Sequence, residues 1–225
     1  MKDKILITIS ILLIAFHLTS GDQNSALTSL INNTDWELIY EFEDSVKVYT
    51  KKLPDKGLKA YRVSKFTNID REKLFKVFED VKNYEQILTS ATKMDFGFIR
   101  AEQDTLYGHQ HINIPLAKDR HYVYKLIKHS PTKSYAHWIL MDKEGAFSEF
   151  IQNKADTSGS PIYIEEGLGV FQVQELRDNS RRVSYSLYMD PGGWLPNFLI
   201  NKSNRKGLVG MLRDVVREAK KLEQQ

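Results

Sequence analysis

The chain has 225 residues, of which 41% are hydrophobic, so it is long enough to bury the core of one domain and too apolar to be disordered. Its 32 basic and 29 acidic side chains leave a net charge of +3, and this near balance argues against a nucleic-acid-binding protein. The chain has no cysteine, which excludes disulfides, cysteine metal ligands and cysteine nucleophiles.

The first 21 residues have the layout of a secretory signal peptide. Lys2 and Lys4 precede a mostly apolar run over residues 5–18, and small or polar residues follow it. The run is too short for a comfortable membrane span. We therefore expect residues 1–21 to be a signal peptide, or else an N-terminal anchor, and residues 22–225 to form one exported domain, periplasmic or extracellular.

The first half of this domain is predicted to be a short helix, three strands and a second helix. Helical spacing of apolar residues predicts the first helix over residues 23–33. Alternating, aromatic-rich segments predict strands over residues 36–40, 46–51 and 58–67. A second helix is predicted over residues 71–81, where Asn68 or Asp70 is placed to cap it.

Strands dominate the second half of the chain. Residues 142–160 are its least readable part, in which Gly145, Asn153, Ser158, Gly159 and Ser160 mark loops. The strands are predicted over residues 94–100, 105–114, 120–129, 134–141, 161–174 and 182–189. In the strand at 120–129, Tyr122 and Tyr124 share one face and Val123 lies on the other. Gly167 and Gly169 inside a strand predict a bend or a bulge.

The stretch over residues 190–222 predicts a turn followed by a long amphipathic helix. Asp190 begins a Pro-Gly-Gly breaker cluster, and Pro196 suits the first turn of a helix. Beyond it, apolar residues recur at helical spacing and charged residues take the other face. Such a helix must bury its apolar stripe against the preceding strands. Because those strands show no regular β-α-β alternation, the fold class is predicted to be α+β with an antiparallel sheet.

Three stretches carry a resemblance to a known family. They are Trp36 with the segment VKVY at 46–49, the segment PLAKDRHYVY at 115–124, and DPGGWLP at 190–196 with the helix after it. In this order they resemble START domains, the steroidogenic acute regulatory-related lipid-transfer group of the helix-grip superfamily. The likeness covers residue 34 to the C-terminus, and the tail is most similar to phosphatidylcholine-transfer-type members. The family often has aspartate where this chain has His121, so an ion pair using that aspartate would be absent.

The resemblance implies a curved antiparallel sheet wrapped around the C-terminal helix, with an apolar tunnel for a phospholipid or a sterol between them. It implies a non-enzymatic lipid-transfer protein that is a monomer, contacts membranes transiently and binds no nucleic acid. A cyclase- or aromatase-like enzyme of the same superfamily is the alternative, and a polar cavity with perturbed titratable groups would favour it. A ligand-gated interaction module is a third possibility.

Arg120 is the first candidate for ligand binding. An inward guanidinium could hold a phosphate or carboxylate, whereas a surface or second-layer one would pin a loop. A buried charge needs a partner, and Glu165 or Glu166 could supply it or could simply be solvated. Aromatic residues with polar tips are candidates for the cavity wall, with core packing as the alternative for each: Tyr122, Tyr124, Trp138, Tyr163 and Tyr185. On the last helix, the residues expected to face the sheet and the ligand are Phe198, Leu199, Val209, Leu212 and Val216.

Trp194 precedes the last helix and could dip into a membrane interface, or it could cap the core. His109 and His111 share a strand face with His121 nearby in sequence, but no carboxylate or cysteine supports a metal site there. We therefore expect no metal and no cofactor. The sequence contains no phosphate-binding glycine loop, no HExxH motif and no GxSxG motif.

Overall fold

The computed structural model describes residues 23–54, 56–91, 93–193 and 197–224, and between 197 and 206 it describes the backbone alone. The predictions for residues 1–21 and for Trp194 lie outside the described residues, as do the side chains of Phe198 and Leu199. Within the described part, no helix combines the length and the apolar character needed to cross a membrane.

Ten strands form one sheet, as the α+β prediction requires. Their spatial order is β1-β2-β3-β10-β9-β7-β6-β5-β4, and every neighbouring pair on this path is antiparallel. The short β8 lies off the path and pairs with β6 in parallel. The strands are β1 (Glu37–Glu41), β2 (Lys47–Lys52), β3 (Lys59–Thr67), β4 (Met94–Glu102), β5 (Thr105–Ile112), β6 (Arg120–Ile127), β7 (Tyr135–Leu140), β8 (Ile162–Tyr163), β9 (Glu166–Glu175) and β10 (Arg181–Asp190).

The structure contains the predicted helix after β3 and the predicted long C-terminal helix. Asp70 caps α2 as expected, because its carboxylate accepts hydrogen bonds from the backbone N–H groups of Glu72 (2.9 Å) and Lys73 (3.3 Å). The last helix, α5, contacts α2, α3, β3 and β10, which is the helix-grip arrangement. The helices are α1 (23–31), α2 (Arg71–Phe78), α3 (Tyr84–Ile87), α4 (Ser148–Thr157) and α5 (Asn197–Glu223), with 3₁₀ turns at Val81–Asn83 and Arg177–Asn179.

The sheet is covered on both faces in its central strands. Val63 of β3 and Phe171 of β9 belong to the large core shared with α2 and α5. Ala60 of β3 and Val170 of β9 instead belong to a second cluster, together with Leu30 of α1. Because successive side chains of a strand point to opposite faces, a strand buried on both sides loses its polar alternation. This explains the imperfect pattern of β3 in the sequence.

The segment before β9 differs from the sequence analysis in two ways. Residues 142–160, which had no assigned element, contain α4. This helix buries Ile151 alone, so it presents no apolar stripe that the sequence could reveal. The single strand predicted over 161–174 is divided into β8 and β9, because β8 leaves the path of the sheet to pair with β6.

Candidate functional site

The inner face of the sheet, the α3 region and α5 enclose a cavity of about 140 Å³. Most of its wall is aliphatic or aromatic: the strands contribute Phe96 and Ile112, and α5 contributes Leu208 and Met211. The polar side chains in the described wall are four tyrosines, Gln110, Trp138 and Arg120. A mostly apolar cavity with a few convergent polar groups is typical of small-molecule sites.

The β5–β6 ladder places one buried polar pair in this wall. Tyr122 lies directly opposite Gln110 in the register of the two strands. The Tyr122 hydroxyl donates a hydrogen bond to the side-chain oxygen of Gln110, whose amide nitrogen lies 2.9 Å from Met94 Sδ. As predicted, Tyr122 and Tyr124 share a face, and both line the cavity.

A second polar pair links Trp138 of β7 to Tyr185 of β10. The indole N–H of Trp138 donates to the Tyr185 hydroxyl at 2.8 Å. Opposite Trp138 in the sheet is Gly169, and a Cβ atom at that position would overlap the indole ring. Gly169 keeps a regular register with both neighbouring strands, so the strand has no bulge at this glycine. The glycine makes room for an aromatic ring over its strand instead.

A second glycine lies opposite an aromatic ring in the β5–β6 pair. Gly108 lies opposite Tyr124, and a Cβ atom on Gly108 would lie 2.5 Å from the Tyr124 hydroxyl oxygen. Tyr124 and Trp138 are also neighbours, with ring centroids 6.0 Å apart. Two strand glycines therefore let two large rings extend across the cavity wall.

Burial keeps the phenols of this wall uncharged. Desolvation raises the pKa of Tyr124 and Tyr185 well above the usual value for tyrosine, and the nearby Tyr185 hydroxyl adds to the effect on Tyr124. Desolvation likewise raises the pKa of Tyr84 and Tyr122. At neutral pH the wall thus presents protonated hydroxyl groups rather than phenolates.

Arg120 lines the cavity and is 1% exposed, but its guanidinium is bound to main-chain carbonyls. Nε donates to Pro191 O at 3.1 Å, Nη2 donates to Gly192 O at 3.0 Å, and Nη1 donates to Lys118 O. Burial lowers the pKa of Arg120, and the charge of neighbouring Asp119 opposes the shift. Arg120 thus holds the β5–β6 loop against the turn after β10, which is the loop-pinning alternative of the sequence analysis.

The carboxylates proposed as partners of Arg120 lie elsewhere. Glu165 is exposed, and Glu166 forms an ion pair with Lys56. The solvated alternative therefore holds for Glu165, and Ile164 lines the cavity instead. Tyr163 also lies outside the described lining, where its hydroxyl donates to Met141 O at 2.8 Å.

The candidates on α5 are placed in the core rather than at the cavity. Val209 and Leu212 belong to the main core cluster, and Val216 packs against it. The described residues of α5 that line the cavity are Gly207, Leu208 and Met211. Since successive helical residues are about 100° apart, moving one position along the helix turns a side chain from the cavity toward α2 and the sheet.

Sequence reasoning missed Tyr84, Met94 and Gln110 in the wall. Tyr84 follows α2 in a segment without clear periodicity, and its hydroxyl donates to Phe78 O. Gln110 could have been found by period-two alternation, because it alternates on β5 with His109 and His111. That assignment needed the β5–β6 register, which the sequence does not supply.

The three histidines of this region occupy the sheet face opposite the cavity. His109 packs against Phe150 of α4, and the rings of His109 and His121 are 5.7 Å apart. His111 Nε2 instead lies 3.1 Å from Asp119 Oδ2. Among the described residues, no three potential ligands are grouped so that they could hold a metal ion.

Solved structures share this fold, although no protein-family model and no curated protein matches the sequence. A STAR-related lipid transfer protein from Xanthomonas axonopodis aligns with a TM-score of 0.63 at 16% identity, over 83% of this chain and 99% of that one. Human STARD10 aligns with a TM-score of 0.65 at 15% identity, over 89% and 79%. The Zhui aromatase/cyclase of a Streptomyces species aligns at 0.51 and 10%, over 72% and 93%. These similarities establish the START-like helix-grip fold.

Proposed function

We propose that this protein binds a lipid, a phospholipid or a sterol, in the cavity between the sheet and α5, and transfers or sequesters it. The cavity itself carries the proposal. Protein interiors are close-packed and voids larger than a water molecule are few, so an apolar space of about 140 Å³ lowers stability unless a ligand fills it. The Xanthomonas protein with the same fold is named a lipid transfer protein, which supports this function.

The driving force for uptake would be the burial of hydrocarbon. Each methylene moved from water into an apolar site gains about 0.8 kcal/mol, so one acyl chain or ring system supplies ample binding energy. The same gain opposes release into water. We therefore propose that exchange takes place during transient contact with a membrane, where the hydrocarbon is never fully hydrated, and that the protein acts as a monomer without nucleic acid.

A carrier fits the described wall better than an enzyme does. The titratable groups that line it are four tyrosines and Arg120. Desolvation raises the pKa of all four phenols, and the Arg120 guanidinium binds three carbonyls, so none of these groups is suited to act as a general base near neutral pH. The fold similarity to the Zhui aromatase/cyclase makes a cyclase-like enzyme the alternative.

Native mass spectrometry of the full chain, purified without detergent and incubated with vesicles of phosphatidylcholine and a sterol, tests the proposal. We expect a discrete added mass of one lipid. Ala91 lines the cavity, so Ala91→Trp should fill part of it and reduce the bound fraction. Ala101→Trp makes the same change at an exposed position of β4 and should bind normally. A chain that stays bare under all conditions would refute lipid binding and favour the enzyme.

We also propose that the protein is exported through residues 1–21. Sequencing the N-terminus of the protein from each fraction of its own host tests this. A chain beginning near Asp22 would indicate a cleaved signal peptide, and a membrane-bound chain beginning at Met1 would indicate an anchor. A soluble cytoplasmic protein that retains Met1 would contradict both.

A further inference from the structure

Most polar groups in the cavity wall satisfy one another or the main chain. Tyr84 donates to Phe78 O, Tyr122 donates to Gln110, and Trp138 donates to Tyr185. The three guanidinium nitrogens of Arg120 each donate to a carbonyl. These groups form a preorganised wall and leave few hydrogen bonds for a ligand.

Two hydroxyl groups still have a donor to offer. The Tyr124 hydroxyl makes no hydrogen bond to any other residue that the structure describes. The Tyr185 hydroxyl accepts from Trp138, but its own proton has no acceptor within the same set of residues. Tyr124 is 4% exposed and Tyr185 is 5% exposed, and both line the cavity. Both tyrosines face the cavity, so a ligand group placed there can accept a hydrogen bond from each hydroxyl.

Both hydroxyls belong to one corner of the cavity. Trp138 connects them, because its ring lies 6.0 Å from that of Tyr124 and its N–H binds the Tyr185 oxygen. Gly108 and Gly169 hold the corner open, since a side chain on either would collide with Tyr124 or Trp138. The Tyr124 and Tyr185 hydroxyls are thus two neutral hydrogen-bond donors in one part of an otherwise apolar cavity.

We propose that the Tyr124 and Tyr185 hydroxyls donate to one uncharged acceptor oxygen, a carbonyl or hydroxyl group, at the head of an otherwise apolar ligand. This inference rests on the proposed lipid-binding function and narrows it to neutral lipids with a small oxygen head. A phosphate or carboxylate would require an available cation, and Arg120, the one charged side chain in the described wall, already donates three of its five N–H groups to carbonyls.

The test uses a cyclohexenone that carries an octyl chain, and the octylcyclohexene that lacks its carbonyl. We expect Tyr124→Phe to weaken binding of the enone about three- to tenfold, the loss of one neutral hydrogen bond, and to leave the hydrocarbon unaffected. Tyr185→Phe should act in the same direction. The absorption band of the bound enone should lie at longer wavelength in the parent protein than in the double variant, because a hydrogen bond to the carbonyl causes that shift.

Tyr107→Phe is the matched control, because the Tyr107 hydroxyl lies outside the cavity, 3.3 Å from Glu102 Oε2. It should bind both ligands as the parent does, and hydrocarbon affinity reports whether each variant is folded. If both ligands bind and neither Tyr124→Phe nor Tyr185→Phe weakens the enone more than the hydrocarbon, the paired-donor assignment is wrong while lipid binding stands. If neither ligand nor any vesicle lipid binds, both proposals fall.

Discussion

Two glycines decide how the aromatic side chains of the cavity pack. Gly108 and Gly169 each lie opposite an aromatic residue in the sheet, and the ring covers the space that a side chain would occupy. Glycine normally weakens a strand because it contributes no packing and costs backbone entropy. Here the neighbouring ring supplies the packing, so the glycine is part of the cavity wall.

Gly169→Ala should therefore destabilise the protein, although alanine suits a strand better than glycine. The added methyl group overlaps the indole of Trp138, which must move away from the Tyr185 hydroxyl. We expect a loss of about 1–3 kcal/mol in the free energy of unfolding, measured by urea denaturation. Gly57→Ala is the control, because nothing lies within 4 Å of a Cβ atom there. Equal stability of the two variants would show that Trp138 is not held by the glycine.

At the scale of elements, α1 is attached to the outer face of the sheet through its C-terminal carbonyls. Lys51 Nζ donates to Ser29 O at 3.0 Å and to Thr34 O at 3.1 Å. Arg62 donates to Leu30 O and to Asn32 O. Both cations are buried, and they bind the end of the helix where its dipole favours positive charge.

Arg62→Met should release α1 without unfolding the rest of the domain. Arg62 is 5% exposed, its Nε donates to Ser186 Oγ at 2.8 Å, and its guanidinium lies 4.3 Å from the ring centroid of Trp36. Methionine fills similar space but leaves the carbonyls unpaired, which costs about 1–3 kcal/mol.

Hydrogen exchange should accelerate over residues 23–31 in this variant while α5 stays protected. Arg177→Met, an exposed position in the 3₁₀ turn, should change neither segment. Unchanged exchange in α1 after Arg62→Met would show that apolar packing alone holds the helix.

Local signals in the sequence predicted most of the helices and strands. The elements that the sequence did not predict depend on contacts between residues far apart in the chain. The Asp70 cap, the alternating strands and the amphipathic α5 each follow from a few neighbouring residues, and all are present in the structure. The helix α4 and the separate strand β8 depend on contacts with distant strands. For the site, alternation placed Tyr122 with Tyr124, but the partners Gln110 and Gly108 follow only from the β5–β6 register.

On the scale of the whole molecule, the two faces of the sheet are covered by different helices. The inner face holds the cavity, α2 and α5, and the opposite face is covered in part by α1 and α4. His109 and His121 are buried on the face opposite the cavity, where they are 6% and 1% exposed. His109 Nε2 and His121 Nδ1 have no hydrogen-bond partner among the residues described. The global stability of the fold therefore depends on keeping two imidazoles neutral.

Acid should weaken the fold before its carboxylates titrate. Burial lowers the pKa of His109 to about 3 and that of His121 to about 4, from an ordinary value of 6.5, and the neighbouring Lys154, Lys143 and His111 add to these shifts. A group whose pKa is lower in the folded state binds its proton more readily when unfolded, so stability falls as pH drops below 6.5 and levels off below the folded pKa values.

Between pH 7.5 and pH 5, we expect the free energy of unfolding to fall by roughly 1–2 kcal/mol for each imidazole. Urea titrations at both pH values measure it. The double variant His109→Gln/His121→Gln should lose the part of this dependence that these two side chains supply, and the part from His137, whose pKa burial also lowers to about 4, should remain. Asp44→Asn should retain it, because the hydrogen bond from Arg213 helps hold the Asp44 pKa at about 2, below the window. An unchanged slope in the double variant would mean that these histidines gain protons without disturbing the packing of α4 on the sheet.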